Sequence, residues 1–189
     1  MIKMEDFLIE AKKQTYANET IEKAKSTRQN SKDYEYKKDN MVYHDTYFGG
    51  TNFIGEEVVY IDNQTYWAMN YYGVTLDENL GEEAMDNALR PALMNVGKDK
   101  TIIPVRGPKE FINGEYKYLF EVTGDINCFA GVETIYKNGK KIYELKCNGG
   151  LIKWGKMWII KCKERIFKSS FLCYNGKDFK NVIIFCQKE

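Results

Sequence analysis

Histidine is almost missing from this sequence, because His44 is the single imidazole in 189 residues. That scarcity excludes most His-rich zinc sites and most histidine-based catalytic clusters. Cysteine is sparse as well. The five cysteines never form a Cys-x-x-Cys pair, so the sequence contains neither a zinc ribbon nor a thioredoxin motif. We therefore predict no metal site and no cofactor.

Long apolar runs are also missing. The longest, such as residues 182–186, fall far short of the roughly 18–20 residues that cross a bilayer. The chain starts with a polar, acidic stretch instead of a basic segment followed by an apolar one, so a secretory signal is not expected. An odd number of cysteines suits reduced thiols. These features predict a cytoplasmic protein without membrane contacts.

Phosphate-binding motifs and a strong net charge are absent too. The sequence contains neither Gly-x-Gly-x-x-Gly nor a P-loop. Its formal net charge is +1, from 28 basic and 27 acidic residues, so charge alone does not indicate a nucleic-acid ligand. With 43% hydrophobic residues, the chain is neither collagen-like nor disordered. Its length suits one domain with a real core.

The sequence does contain clear helix and strand patterns. Apolar residues at helical spacing predict helices over 4–17 and 81–96, and Pro91 should kink the second. Several runs rich in tyrosine, valine and isoleucine predict strands. Asn138-Gly139 lies between two such runs and predicts a two-residue hairpin turn. The order of elements predicts an α+β fold, a mostly antiparallel sheet with an N-terminal helix and a central kinked helix.

The composition changes near residue 152. Residues 1–152 hold 19 basic and 24 acidic residues, whereas 153–189 hold nine basic and three acidic ones, so the two parts carry −5 and +6. We predict one domain over 1–152 and a basic, hairpin-forming appendage over 153–189. Trp154, Trp158 and Phe167 among the lysines of the appendage suit nucleic acid, which they would bind by charge and stacking. We favour a solvated strand surface instead, and direct DNA binding is not expected.

Candidate catalytic groups are few. His44 and Asp45 are adjacent, and adjacent side chains of a strand point to opposite faces, so they do not form a dyad. Glu56 and Glu57 open a strand, which places one carboxylate inward and the other outward. A buried glutamate needs a cation or a raised pKa, which makes it a candidate general base or ligand anchor. Arg106 beside Gly-Pro suits a carboxylate or phosphate contact, although structural ion pairs explain these groups more simply.

An aromatic segment provides the candidate binding surface. In a strand, Trp67 and Tyr71 share one face, whereas Asn70 and Tyr72 share the other. Aromatic and amide groups on both faces predict a sheet covered on both sides or a pocket on the second face. Core tyrosines with satisfied hydroxyl groups are the alternative. The predicted ligand-binding residues are Glu56, Glu57, Trp67, Asn70, Tyr72 and Arg106.

Several motifs occur together and in order. They include Tyr43-x-Asp45-x-Tyr47-Phe48-Gly49-Gly50, Gly55-Glu56-Glu57-Val58-Val59-Tyr60, Trp67-Ala68-Met69-Asn70-Tyr71-Tyr72-Gly73, Arg106-Gly107-Pro108 and Gly149-Gly150. Over about residues 4–152 the chain resembles a bacterial domain family of unknown function, whose members stand alone or follow an XRE-type helix-turn-helix. The resemblance implies an effector-binding or interaction role and carries no activity. No helix-turn-helix precedes residue 4, so we do not expect this chain to read DNA by itself.

Three functions stay open at this point. The first is a non-enzymatic, effector-type domain that binds a small molecule against the aromatic sheet face, and we rank it first. The second is an enzyme that uses Glu57 or His44 as a general base in the same pocket. The third is an interaction module whose sheet edge or basic appendage binds a partner, a second copy of the chain included.

Overall fold

The computed structural model describes residues 3–17 and 23–154 of the chain. Two groups of four strands are separated by a short helical segment. The elements are α1 (Met4–Lys13), β1 (Lys32–Lys38), β2 (Met41–Gly49), β3 (Phe53–Ile61), β4 (Gln64–Thr75), a 3₁₀ turn (Glu78–Leu80), α2 (Gly81–Ala84), a π turn (Met85–Leu89), α3 (Arg90–Leu93), β5 (Glu110–Asn113), β6 (Tyr116–Asp125), β7 (Cys128–Lys137) and β8 (Lys140–Leu151).

The strands of the described residues form one eight-stranded antiparallel sheet in the order β1-β2-β3-β4-β8-β7-β6-β5. Two four-stranded meanders therefore meet where β4 pairs with β8. Asp62-Asn63 and Asn138-Gly139 have positive φ at both positions, as a two-residue type I′ turn requires. The second of these turns connects β7 to β8, which confirms the predicted hairpin.

One face of the sheet carries the core. Along β4, Trp67, Met69 and Tyr71 are buried, whereas Asn70 and Tyr72 on the other face are exposed. This alternation is the period-2 pattern of a sheet with one covered face. α1 and the helical segment share the core with the buried sheet residues, and they contribute Phe7, Leu8, Ala11, Met85, Ala88, Leu89, Ala92 and Leu93.

The N-terminal helix is present but ends earlier than predicted. α1 stops at Lys13 instead of residue 17. Acidic residues in its first turn and basic residues in its last turn complement the helix dipole. Its buried stripe is Phe7, Leu8, Ala11 and Lys12. The helix thus places one lysine on its apolar, sheet-facing side.

The predicted fold class is wrong. The fold is largely β, and the segment predicted as a central kinked helix over 81–96 consists of short helical turns. Pro91 explains the break, because it lacks a backbone N–H and its ring collides with the carbonyl four residues earlier in a regular α-helix. The turn before it widens to a π turn, and Pro91 sits at the start of α3. Periodicity predicted the buried face of this segment but not its regularity.

The described residues up to Ile152 belong to one compact unit. The predicted hairpin within 153–189 lies outside the described residues, as do Cys162, Cys173 and Cys186.

Cys128 and Cys147 are free thiols. Burial raises the pKa of the Cys147 thiol to about 11, which suits a packing role more than a nucleophilic one. None of the described helices is long and apolar enough to cross a membrane.

Candidate functional site

A cluster of buried charges lies under α1, on the covered face of the sheet. Asp45 of β2 and Glu57 of β3 are direct cross-strand partners, and both are almost fully buried. The Lys12 ammonium of α1 donates a hydrogen bond to Glu57 Oε2. Arg106, from the loop before β5, brings Nη1 to 3.9 Å from Glu57 Oε1. Glu57 therefore lies between two cations, as a buried carboxylate requires.

Arg106 is held by a second carboxylate. Its Nε and Nη2 donate to Glu133 Oε2 and Oε1, each at 2.9 Å, in the two-pronged geometry that guanidinium and carboxylate favour. Tyr118 and Tyr143 donate their hydroxyl hydrogens to Glu133 at 2.6 and 3.4 Å. Burial works to lower the pKa of Arg106, but Glu133 offsets it and the pKa rises well above its ordinary value. The Arg106 guanidinium therefore stays charged in this buried place.

Asp45 differs from the other two carboxylates of the cluster. The Tyr71 hydroxyl donates to its Oδ1 at 2.7 Å, and no described lysine or arginine lies within ion-pair distance of it. Burial and the neighbouring charge of Glu57 raise the pKa of Asp45 to about 7. Asp45 therefore gains or loses a proton near neutrality.

A small cavity opens against these charges, and we call it the inner cavity. Its volume is about 30 Å³, enough for about two water-sized groups. Ionic side chains form its polar lining and aromatic rings most of the rest. The lining residues are Lys12, Thr15, Tyr16, Ala17, Tyr43, Asp45, Tyr47, Phe53, Glu57, Tyr71, Leu93 and Arg106.

A wider pocket, which we call the vestibule, borders the inner cavity. Its volume is about 290 Å³. Tyr16, Tyr47 and Phe53 line both spaces, so the two spaces adjoin at these three rings. Cations lie over two of the rings, with Lys32 Nζ 5.6 Å from the centre of Tyr47 and Arg90 Cζ 5.8 Å from the centre of Tyr16. The remaining lining residues of the vestibule are Gly50, Thr51, Glu82, Met85 and Asp86.

The comparisons with known proteins give one match. Residues 45–152 match the family model of a domain of unknown function, DUF5680. The chain belongs to the DUF5680 family. No curated protein and no solved structure matches the chain. The match bears out the resemblance to a family of unknown function, while bacterial origin and the helix-turn-helix neighbours stay predictions.

The DUF5680 match contains most of the ionic cluster but not all of it. Asp45, Glu57, Arg106 and Glu133 lie within residues 45–152, whereas Lys12 precedes them. Thr15, Tyr16 and Ala17 of the inner cavity also precede the matched range. The site of this DUF5680 protein is therefore assembled from the matched domain and the N-terminal helix together.

Two of the six predicted ligand-binding residues meet in the inner cavity, Glu57 and Arg106. Trp67 is buried elsewhere in the core, where its ring stacks on Phe129 and its Nε1 donates to the Ile126 carbonyl. The other three, Glu56, Asn70 and Tyr72, lie on the opposite face of the sheet, and Glu56 pairs there with Arg28.

His44 and Asp45 point to opposite faces of β2, as the strand pattern predicted. His44 Nε2 lies 2.9 Å from Asp33 Oδ2 on the face away from the inner cavity. Asp33 also accepts hydrogen bonds from Thr27. Burial works to raise the pKa of Asp33, but hydrogen bonds from Ser31, Thr27 and His44 hold it well below its ordinary value. This histidine therefore has a structural partner and does not reach the aromatic pocket.

Sequence reasoning did not single out Lys12, Asp45 or Glu133 as site residues. Two of the three had a weak signal in the sequence. Lys12 lies four residues after the apolar Leu8, so both are on the same face of the helix. Asp45 lies two residues after Tyr43, so both point to the same face of β2. The register that brings these groups together is a property of the sheet, and no single segment encodes it.

Across the described ranges, no group of metal-ligating side chains could hold a metal ion.

Proposed function

We propose that this DUF5680 protein is a non-enzymatic domain that binds a small molecule in the vestibule and the inner cavity. The observation that supports the proposal most is the lining of the inner cavity, where Lys12, Asp45, Glu57 and Arg106 face a space walled by aromatic rings. Ligand sites typically combine apolar walls with a few converging polar groups. A purely structural core would have little reason to hold so many charges around a space.

The same arrangement supports an effector role. α1 supplies Lys12 and the turn after it supplies Tyr16, while the sheet supplies Asp45 and Glu57. A ligand between them favours one position of the helix against the sheet, and differential binding of that kind is how a ligand shifts a conformational equilibrium. The association with transcriptional regulators remains part of this proposal.

An acid–base enzyme is the second candidate, and Asp45 favours it. A carboxyl group with a pKa near 7 suits proton transfer at neutral pH. The bases considered from the sequence fit less well, because Glu57 is bonded to Lys12 and His44 lies on the other face of the sheet. Turnover of a bound compound would favour this candidate over the binding domain.

The test uses ligand-observed NMR on the full-length chain. The compounds are small water-soluble amines, carboxylic acids and alcohols. Gly50 lines the vestibule, and a Cβ added there meets no atom within 4 Å, so Gly50→Trp should fill the vestibule without disturbing the core. We expect binding that Gly50→Ala retains and Gly50→Trp abolishes. Binding that does not distinguish these two variants, or no binding at all, would contradict the proposal.

A further inference from the structure

We infer that the ligand carries a single positive charge, on an ammonium or amidinium group, and that this group binds Asp45 among the aromatic rings of the inner cavity. The inference rests on the proposed function. It names the chemical class of the ligand and the side chain that recognises it. Three features of the site carry it: the charge balance, the aromatic walls and the size of the space.

Among the described residues, the charge balance leaves one carboxylate of the cluster without a cation. The cluster holds Asp45, Glu57 and Glu133 against Lys12 and Arg106, which is a net charge of −1 when all are ionised. Both cations are already bonded to carboxylates other than Asp45. A monovalent cation at Asp45 makes the cluster neutral. An anion would deepen the imbalance in a buried site, where uncompensated charge is costly.

The aromatic walls favour the same charge. Aromatic faces carry negative electrostatic potential and attract cations within about 6 Å of the ring centre. The rings of the inner cavity already lie close to the protein's own cations. Lys12 Nζ is 5.8 Å from the centre of the Tyr43 ring, and Arg106 Cζ is 5.8 Å from the centre of the Tyr71 ring. A carboxylate surrounded by aromatic rings is a recognition site for an organic cation.

The size of the two spaces determines how such a ligand fits. The inner cavity of about 30 Å³ takes a group the size of an ammonium but no ring. The vestibule of about 290 Å³ has room for the compact body of a small molecule. The ligand class is therefore a small primary amine or amidine, with its charged end at Asp45 and its body beyond Tyr16, Tyr47 and Phe53.

Binding of this kind is coupled to the proton on Asp45. The charged groups facing Asp45 are Lys12 of α1, Glu57 of β3 and Arg106 of the loop before β5. The surrounding phenols share one property, since burial raises the pKa of each and they remain neutral: Tyr16 after α1, Tyr34 of β1, Tyr43 and Tyr47 of β2, and Tyr71 of β4. Asp45 must lose its proton to pair with the cation. Affinity for an amine that stays protonated should therefore increase with pH.

The experiment compares three probes of one shape but different charge, n-butylammonium, 1-butanol and butyrate, by calorimetric titration of the full-length chain. We expect n-butylammonium to bind best, with about tenfold higher affinity at about pH 8 than at about pH 6, because the ionised fraction of Asp45 changes by that factor around a pKa near 7. Asp45→Asn keeps an acceptor for Tyr71 but removes the charge. It should weaken n-butylammonium binding by at least about tenfold and remove its pH dependence.

Glu56→Gln is the matched control, because Glu56 lies next to Glu57 but on the opposite face. It should leave both affinity and pH dependence unchanged. If butyrate or 1-butanol binds in preference to n-butylammonium and Gly50→Trp abolishes that binding, the ligand class is wrong but the proposed function stands. If no probe or library compound binds, both are wrong. Should Asp45→Asn fail to fold, the pH dependence of the wild-type chain decides, and a flat profile overturns the inference.

Discussion

Glu133 shows how this core keeps ionised groups away from water. Its two oxygens accept two hydrogen bonds from Arg106 and one each from Tyr118 and Tyr143. A buried ion pair of this kind adds little net stability compared with apolar residues, but the removal of one partner leaves a buried charge uncompensated. A substitution of Glu133 should therefore lower the stability by much more than the intact ion pair adds to it.

Glu133→Gln should lower the free energy of unfolding by about 3 kcal/mol, because Arg106 stays charged, loses its two-pronged counterion and keeps only Glu57 at 3.9 Å. Urea denaturation of the full-length chain measures the change. Glu110→Gln is the matched control. It removes the partner of Lys117 at 2.6 Å, where both side chains are about half exposed, and it should cost less than about 1 kcal/mol. Equal losses in the two variants would mean that Arg106 finds another partner.

At the scale of single residues, the sequence predicted which side chains are buried better than it predicted which of them lie close together. Strand parity and the need of a buried carboxylate for a cation singled out Glu56 and Glu57 as a pair, and the neighbouring Gly-Pro singled out Arg106. The same reasoning placed Trp67, Asn70 and Tyr72 beside them. The alternation of side chains along a strand shows which residues share a face of that strand. It does not show which face of β4 lies on the same side of the sheet as a given face of β3, because that depends on the register.

At the scale of elements, β4 and β8 hold the two meanders together. Gly149 lies opposite Met69 in this pairing. A Cβ at Gly149 would lie 2.4 Å from the Ala68 carbonyl oxygen and 2.7 Å from the Met69 Cα. Both are backbone atoms, so no side-chain rotation can relieve the contact. The glycine is needed because two backbones approach each other closely.

Gly149→Ala should therefore lower the free energy of unfolding by about 2 kcal/mol or more, because β4 and β8 must move apart at the junction of the sheet. Thermal and urea unfolding measure the loss. Gly50→Ala provides the comparison, since its added Cβ meets no atom within 4 Å, and it should change stability by less than about 0.5 kcal/mol. If both variants are equally stable, the two strands have room to separate and the close approach does not matter.

The helical segment after β4 shows the limit of periodicity at this scale. The apolar stripe of residues 81–96 predicted a helix, and residues such as Met85 and Leu89 are indeed buried. The hydrogen-bond pattern nevertheless changes from α to π before Pro91 and back again at α3. Hairpin turns were easier to predict, because Asn138-Gly139 needs positive φ at both positions and few other residue pairs tolerate that.

At the scale of the whole molecule, the matched domain and the N-terminal helix depend on each other. The DUF5680 match begins at residue 45, yet Phe7, Leu8 and Ala11 of α1 are fully buried. Lys12 also provides the ammonium that is bonded to Glu57. Neither the core nor the charge balance of the inner cavity is complete without residues that precede the match.

Two truncations test this dependence, and Trp67 reports on both. A chain of residues 1–152 lacks Trp154 and Trp158, so its fluorescence comes from Trp67, which is fully buried and stacked on Phe129. It retains every strand of the described sheet, including the final backbone bond from Ile152 N to the Tyr66 carbonyl. We expect blue-shifted emission and one cooperative urea transition.

A chain of residues 23–152 keeps the same reporter but loses α1. The apolar side chains of the sheet are then exposed to water, and Glu57 keeps Arg106 at 3.9 Å but loses its bond to Lys12. Breaking a buried pair costs about 3–5 kcal/mol, and the lost apolar burial adds to it. A domain of this size has about 5–15 kcal/mol of stability, so we expect red-shifted Trp67 emission and no cooperative transition. Equal urea midpoints for the two chains would show that the matched domain folds without its helix. A failure of residues 1–152 to fold would instead show that the predicted domain boundary at 152 is wrong.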